Sequence, residues 1–143
     1  MPLFSFKRGV LKLIYIPVDI KEPIVGKPNV RIQKGLTNNF PELIFELHDG
    51  CKYLDLGDTV SLYASITNTD LESSVFTGEL RVLNPHRGQI LCRLKYDDFT
   101  QTGLNTLTVF CNTGDFDVSF QKTIFVESVN ESILKIFERS NSS

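Results

Sequence analysis

"ELIFELHDGCKYLDLGDTVSLYASIT", running from Glu42 to Thr67, decides the fold class. In its first eight residues Leu43, Phe45 and Leu47 alternate with Glu42, Ile44, Glu46 and His48. A period of two puts one set on each face of a strand, because successive side chains of a pleated backbone point opposite ways. Asp49-Gly50 then reads as a tight hairpin turn, since glycine takes a positive φ at no steric cost and aspartate tolerates it. "CKYLDL" brings the chain back. In the next strand Val60, Leu62, Ala64 and Ile66 alternate with Ser61, Tyr63 and Ser65.

The same period continues outward. Beyond the polar loop "NTDLESS", Leu80 and Val82 alternate with charged residues in "VFTGELRVLN". "GQILCRLKY" sends Ile90, Cys92 and Leu94 inward and Gln89 and Arg93 outward. "LNTLTVFCN" and "DVSFQKTIFVES" complete the set, joined by "NTGD", with Gly114 as the expected left-handed residue. Seven or eight short strands bounded by Gly, Asn, Asp or Pro, with no long amphipathic helix between them, predict an all-β protein. The expected architecture is an antiparallel, immunoglobulin-like β-sandwich over residues 30–129.

Both ends read differently. Pro17, Pro23 and Pro28 interrupt "LIYIPVDIKEPIVGKPNV" at nearly even spacing, which suits an extended arm or an edge strand over residues 1–29. Such an arm carries more apolar surface than a lone extended segment buries in its own domain. Strand addition to a neighbour would satisfy it. The expected interface comprises Leu11, Leu13, Tyr15, Ile16, Val18, Ile20, Ile24 and Val25, in a symmetric trimer or ring. Residues 130–143 form a tail in which Ile133, Leu134, Ile136 and Phe137 predict about two turns of helix.

Composition narrows the function classes. The 143 residues suit one domain, with 41% apolar and 22% charged residues in the balance of a globular protein. Fifteen bases against seventeen acids give a net charge of −2, with no electrostatic footprint for nucleic acid or an anionic membrane. The stretch at Met1–Ile20 fails as a secretory leader, because Lys7 and Arg8 come late and Lys12 breaks the apolar run. No uninterrupted apolar run reaches membrane-spanning length. Cys51, Cys92 and Cys111 have no CxxC spacing, and His48 and His86 lie near no cysteine cluster, so no zinc set forms. The three read as small buried thiols, with a Cys92–Cys111 disulfide as the alternative if their strands are neighbours.

The acidic knot "DDFTQT", from Asp97 to Thr102, is the strongest candidate for chemistry. A catalytic carboxylate pair needs a second acid or a histidine across a cleft, in environments that separate the two pKa values. Two adjacent acids in a turn lack that. A calcium loop would need more oxygen ligands. The better reading is a corner between sheets, with Asp97 capping one helical turn, Phe99 as a plug and Gly103 opening the return strand. Asp115 and Asp117 suit a solvated strand start, and His86 in "NPHRG" a loop tip. There is no GxSxG, and "VGKPN" lacks the remaining phosphate-loop positions. The sequons at Asn130 and Asn141 count as chance without a secretory leader. No cofactor, metal or catalytic residue is expected.

Leu43–Leu47, Asp49-Gly50, Leu54-Asp55-Leu56-Gly57 and Val60–Ile66, followed by "NPHRGQILCRL", "YDDFTQTGLNTLTVFC" and "KTIFVESV", resemble the N-terminal domain family of phage baseplate upper proteins. These are scaffolds of the receptor-binding module in siphophages of Gram-positive bacteria. The resemblance spans roughly Val30 to Val129. It implies a non-catalytic virion protein, made in the host cytoplasm, whose sandwich docks to other virion proteins in the baseplate or tail. Two alternatives stand beside it. One is a capsid-decorating or head-fibre-base protein. The other is a carbohydrate-binding module using Tyr53, Tyr63 and Tyr96 as stackers.

Overall fold

Seven strands lie where the sequence places them, and a short eighth, at Ser73–Val75, starts within the stretch read as the polar loop "NTDLESS". The computed structural model describes residues 13–22, 24–34 and 41–128. Strands β3 (Glu42–Asp49), β4 (Lys52–Tyr53), β5 (Thr59–Thr67), β6 (Ser73–Val75), β7 (Glu79–Asn84), β8 (Gln89–Arg93), β9 (Gly103–Thr113) and β10 (Asp117–Ser128) follow the predicted order. Two more precede them, β1 (Leu13–Asp19) and β2 (Ile24–Lys34). The expected tail helix and Leu11 lie outside the described residues.

Two five-stranded sheets result. The first runs β1-β3-β8-β7, with β4 attached to β3, and the second runs β2-β10-β9-β5-β6. They stack as a sandwich around Phe45, whose ring meets Phe120 of the opposite sheet edge-to-face at 4.7 Å. Leu43 and Leu47 from β3, Ile90, Cys92 and Leu94 from the β8 region, and Leu107, Val109 and Cys111 from β9 complete the centre.

The sheets are mixed, which corrects the antiparallel expectation. β1 runs parallel to β3 from Leu13↔Glu42 to Asp19↔His48, and β2 runs parallel to β10. The remaining pairs are antiparallel. The physical reason is that alternation fixes which face a side chain takes and says nothing of strand direction. The prolines did mark edges: Pro17 sits in β1 and Pro28 in β2, each paired on one side only, where a missing N–H is tolerated.

The described part of the leading segment does not stand apart from the domain. Ile16, Val18 and Val25 are buried with the core, so the sandwich includes β1 and all of β2, ahead of the expected boundary at Val30. Between β1 and β2 the chain changes sheets through a turn in which the Glu22 N–H donates to the Asp19 carbonyl at 2.8 Å. The pairing of β2 with β10 shifts register between Lys122 and Ile124. There Lys122, on the inner face of β10, donates from Nζ to the Gly26 carbonyl at 3.4 Å, and burial pushes its pKa down.

Turn chemistry agrees at Gly50 (φ 64°) and Gly103 (φ 100°), both left-handed as their positions require. Gly114 is a correction, since it is absent from the positive-φ residues. Thr113 builds that turn instead: its Oγ1 accepts from the Asp115 and Phe116 N–H groups at 3.1 and 3.0 Å. A hydroxyl organising its own turn replaces the need for a left-handed residue.

Candidate docking surfaces

The acidic knot is a corner. Tyr96–Asp98 form one 3-10 turn, and Phe99 is buried beneath it. The capping acid is Asp98 and not Asp97. Asp98 Oδ2 accepts from the Lys95 N–H at 3.2 Å, and Oδ1 from the Thr77 hydroxyl at 3.0 Å, whereas Asp97 is exposed. Gly78 makes room for this, because a Cβ there would sit 2.6 Å from the Phe76 ring and 3.0 Å from Asp98 Oδ2. The two acids face different surroundings, but the buried one is consumed by structural hydrogen bonds.

Other chemical candidates scatter. His86 Nδ1 lies 3.8 Å from Asp55 Oδ2 with both side chains exposed, and His48 Nδ1 lies 3.0 Å from the Gly50 carbonyl. Asp115 and Asp117 are exposed. Among the described residues no three His, Cys, Asp or Glu side chains gather as a metal set. Cys92 and Cys111 are buried free thiols in different sheets, while Cys51 is exposed, contrary to the expectation for it. Burial pushes the Cys92 thiol far up its range, with the Asp98 charge adding to it. Burial also raises Cys111, against a weaker opposing hydrogen bond from Thr59. Neither is a nucleophile.

What the molecule offers is surface. On the outer face of the first sheet, Arg93 bridges Glu42 and Glu79, and Gln89 donates to Glu46 at 2.7 Å. Between these polar rows Ile44 and Leu91 pair across the strands and are almost fully covered. The row continues to Tyr15, with Leu13 beside it, both about half exposed.

The expected interface residues therefore separate. Leu13 and Tyr15 share one outer face. Ile24 is 75% exposed but belongs to the second sheet, opposite Gln121 on β10. Ile20 is half-buried in the turn between the sheets, and Ile16, Val18 and Val25 lie in the core. The expected stackers separate too. Tyr53 lies under the Arg87 guanidinium at 4.9 Å, while Tyr63 stacks on Phe110 at 4.8 Å on the second sheet. Tyr96's side chain lies outside the described set.

Two surfaces were not visible in the alternation. One is a shallow groove of about 480 Å³ where the edges of β5 and β7 face each other, lined by Val60, Leu62, Leu80, Arg81, Val82 and Pro85. The other is the β5–β6 loop, whose Leu71 is 83% exposed.

With this arrangement of strands, a solved structure can be set beside the chain. It shares the fold of the N-terminal domain of phage TP901-1 ORF48. The superposition gives a TM-score of 0.56, covering 82% of this chain and 99% of that one at 8% sequence identity. ORF48 is a baseplate upper protein, the family whose motifs the sequence resembles. At that identity the likeness to the ORF48 domain lies in the path of the backbone, not in matching side chains. No protein-family model and no curated protein matches the sequence.

Proposed function

We propose that the chain is a non-catalytic structural protein of a phage particle, a β-sandwich that docks to neighbouring subunits in the baseplate or tail and supports the host-adhesion machinery. The observation that carries this is the backbone match to the ORF48 domain along nearly all of that domain. Fold alone does not assign function. The surface is consistent with the reading: Asp98, Cys92 and Cys111 are taken up by the fold, and Leu13, Tyr15 and Ile24 are displayed on the sheets. The half-exposed Leu13 and Tyr15 on β1, at the edge of the first sheet, form the patch we assign to docking on another virion protein.

The test is where the chain resides in purified particles. Immunogold label at the tail tip supports the proposal. Label on the capsid shifts it to a head-decorating role, and particles free of the chain overturn it.

A second reading has one observation in its favour. Tyr63 and Phe110 stack with their planes 16° apart, on a face carrying Ser61, Ser65, Thr108 and Ser119. An exposed Tyr63 backed by half-buried Phe110, among hydroxyls, suits a sugar ring. Binding on a glycan array that is lost in Tyr63→Ala would favour a carbohydrate-binding module.

A further inference from the structure

The two outer faces of the sandwich are finished in opposite ways. On the first sheet the outward polar groups satisfy one another, with Arg93 held between Glu42 and Glu79 and Gln89 bonded to Glu46. On the second sheet they do not. From Ser61 to Thr67 on β5, Thr106 to Asn112 on β9 and Ser119 to Thr123 on β10, no outward side chain carries a charge. Lys122 falls in that span but lies on the inner face, buried. A solvated protein surface ordinarily mixes charges of both signs, so a neutral stretch of this breadth needs a reason.

The register gives the rows of this face. Ser65 of β5 stands opposite Thr108 of β9, Thr108 opposite Gln121 of β10, and Gln121 opposite Ile24 of β2. Three strand spacings make that row about 14 Å long. In the next row Tyr63 stacks on Phe110, with Ser119 beyond it. Tyr63 is 52% exposed at the β5 side and Ile24 is 75% exposed at the β2 side, so apolar surface is offered at both ends. Among the described residues, the side chains of Ser65, Thr108, Ser119 and Gln121 make no hydrogen bond to the protein. Their donors and acceptors are uncommitted.

That combination selects a ligand class. A hydroxyl and a primary amide each donate and accept, which suits a ligand made of hydroxyls that do the same. The exposed Tyr63 ring takes the apolar face of a sugar. A charged ligand fares worse, because it gives up hydration and meets no counter-charge on the face. Charges begin only at its ends, with exposed Asp117 beside Asn112 at one and Arg31 and Glu127 paired at 2.8 Å at the other. Asp117 repels an anion, and Arg31 already has its partner.

We infer that this face takes a neutral oligosaccharide laid across the strands, with one ring on Tyr63 and the following rings over Thr108 and Gln121 toward Ile24. The inference rests on the second reading above and narrows it, from sugars in general to uncharged chains longer than one unit. It is measured on the purified chain, so its failure leaves the particle-location result untouched.

The experiment titrates the full chain with neutral glucose and galactose oligomers of increasing length and with uronate oligomers of matched length, followed by backbone amide shifts in NMR. Neutral oligomers gain affinity with length until the row is filled, and added salt leaves that affinity unchanged. Uronate oligomers bind about tenfold more weakly or not at all. Gln121→Glu, an isosteric change at an exposed position, weakens the longest neutral oligomer by about fivefold and leaves the shortest one that binds unaffected. Its urea midpoint matches the parent's, which separates a lost contact from a lost fold. No binding by any sugar removes the second reading itself, and the inference with it. Binding that is equal for uronates, independent of length or indifferent to Gln121→Glu overturns the inference alone. So does self-association without sugar that Gln121→Glu abolishes, which assigns the face to a protein contact.

Discussion

Asp97 and Asp98 are adjacent in the chain and live in different surroundings. Asp98 holds the corner through the Lys95 N–H and the Thr77 hydroxyl, so Asp98→Ala leaves both donors without their partner under a buried Phe99. The expected loss is about 1–3 kcal/mol, whereas Asp97→Ala stays within about 0.5 kcal/mol. Urea unfolding of the two variants distinguishes them, and equal losses would contradict the assignment. The sequence made a corner of this knot and placed Phe99 inside. It did not reveal which acid turns inward, because that depends on Thr77 and Gly78 arriving from another strand. Cys92 carries a pH prediction. Its folded pKa is raised above the ordinary 9.0, so the unfolded chain releases the proton more readily. Stability is fully present below about pH 9 and is lost as pH rises above it. Lys122, whose pKa is lowered, acts in the opposite sense near its ordinary 10.5. The comparison is therefore between the parent and Cys92→Ala, whose alkaline decline in urea midpoint should be shallower. An unchanged decline would mean that the thiol is not the cause.

At the scale of elements, the leading segment shows what alternation conveys and what it omits. Strands β3, β5 and β7 to β10 were legible from alternation between turn residues and β4 from the hairpin return, whereas β6 lies partly in a stretch read as loop. The prolines marked β1 and β2 as edge strands. Neither signal says which strand an edge will join or in which direction, since those are settled by burial against the rest of the fold. Ile16, Val18 and Val25 fill this chain's own core, and only Leu13, Tyr15 and Ile24 of the expected interface remain displayed. The candidate site was correspondingly half legible. The groove and the exposed Leu71 depend on where β6 stops and how the loop before it turns, which no periodicity carries. Truncation follows from this. Deleting residues 1–28 removes β1, about half of β2 and the core side chains Ile16, Val18 and Val25, which stabilise by about 1.5–3 kcal/mol each. Against a typical total of about 5–15 kcal/mol, the truncated chain loses most or all of its cooperative unfolding transition by circular dichroism. A truncated chain that melts like the parent would show that the first two strands are dispensable.

The whole molecule closes on itself late. β2, from the start of the described chain, pairs with β10 at its end, with Lys34 opposite Ser128 and Val25 opposite Lys122. β1 joins β3 in the other sheet, so the two layers are linked at that side by the short turn between β1 and β2. Loop-closure entropy must be overcome before such distant pairings return any stabilisation, which makes all-β folds of this kind slow. Refolding from urea is therefore expected on a millisecond-to-second scale, followed by stopped-flow tyrosine fluorescence. The same topology makes β10 indispensable. It lies between β2 and β9 and contributes Phe120, Ile124 and Val126 to the core, so a chain ending at Phe116 leaves β2 without its partner and Phe45 without its facing ring. That chain should show no cooperative thermal transition. A sharp transition would mean that the second sheet holds without β10, and the two-layer core would then have to be drawn differently.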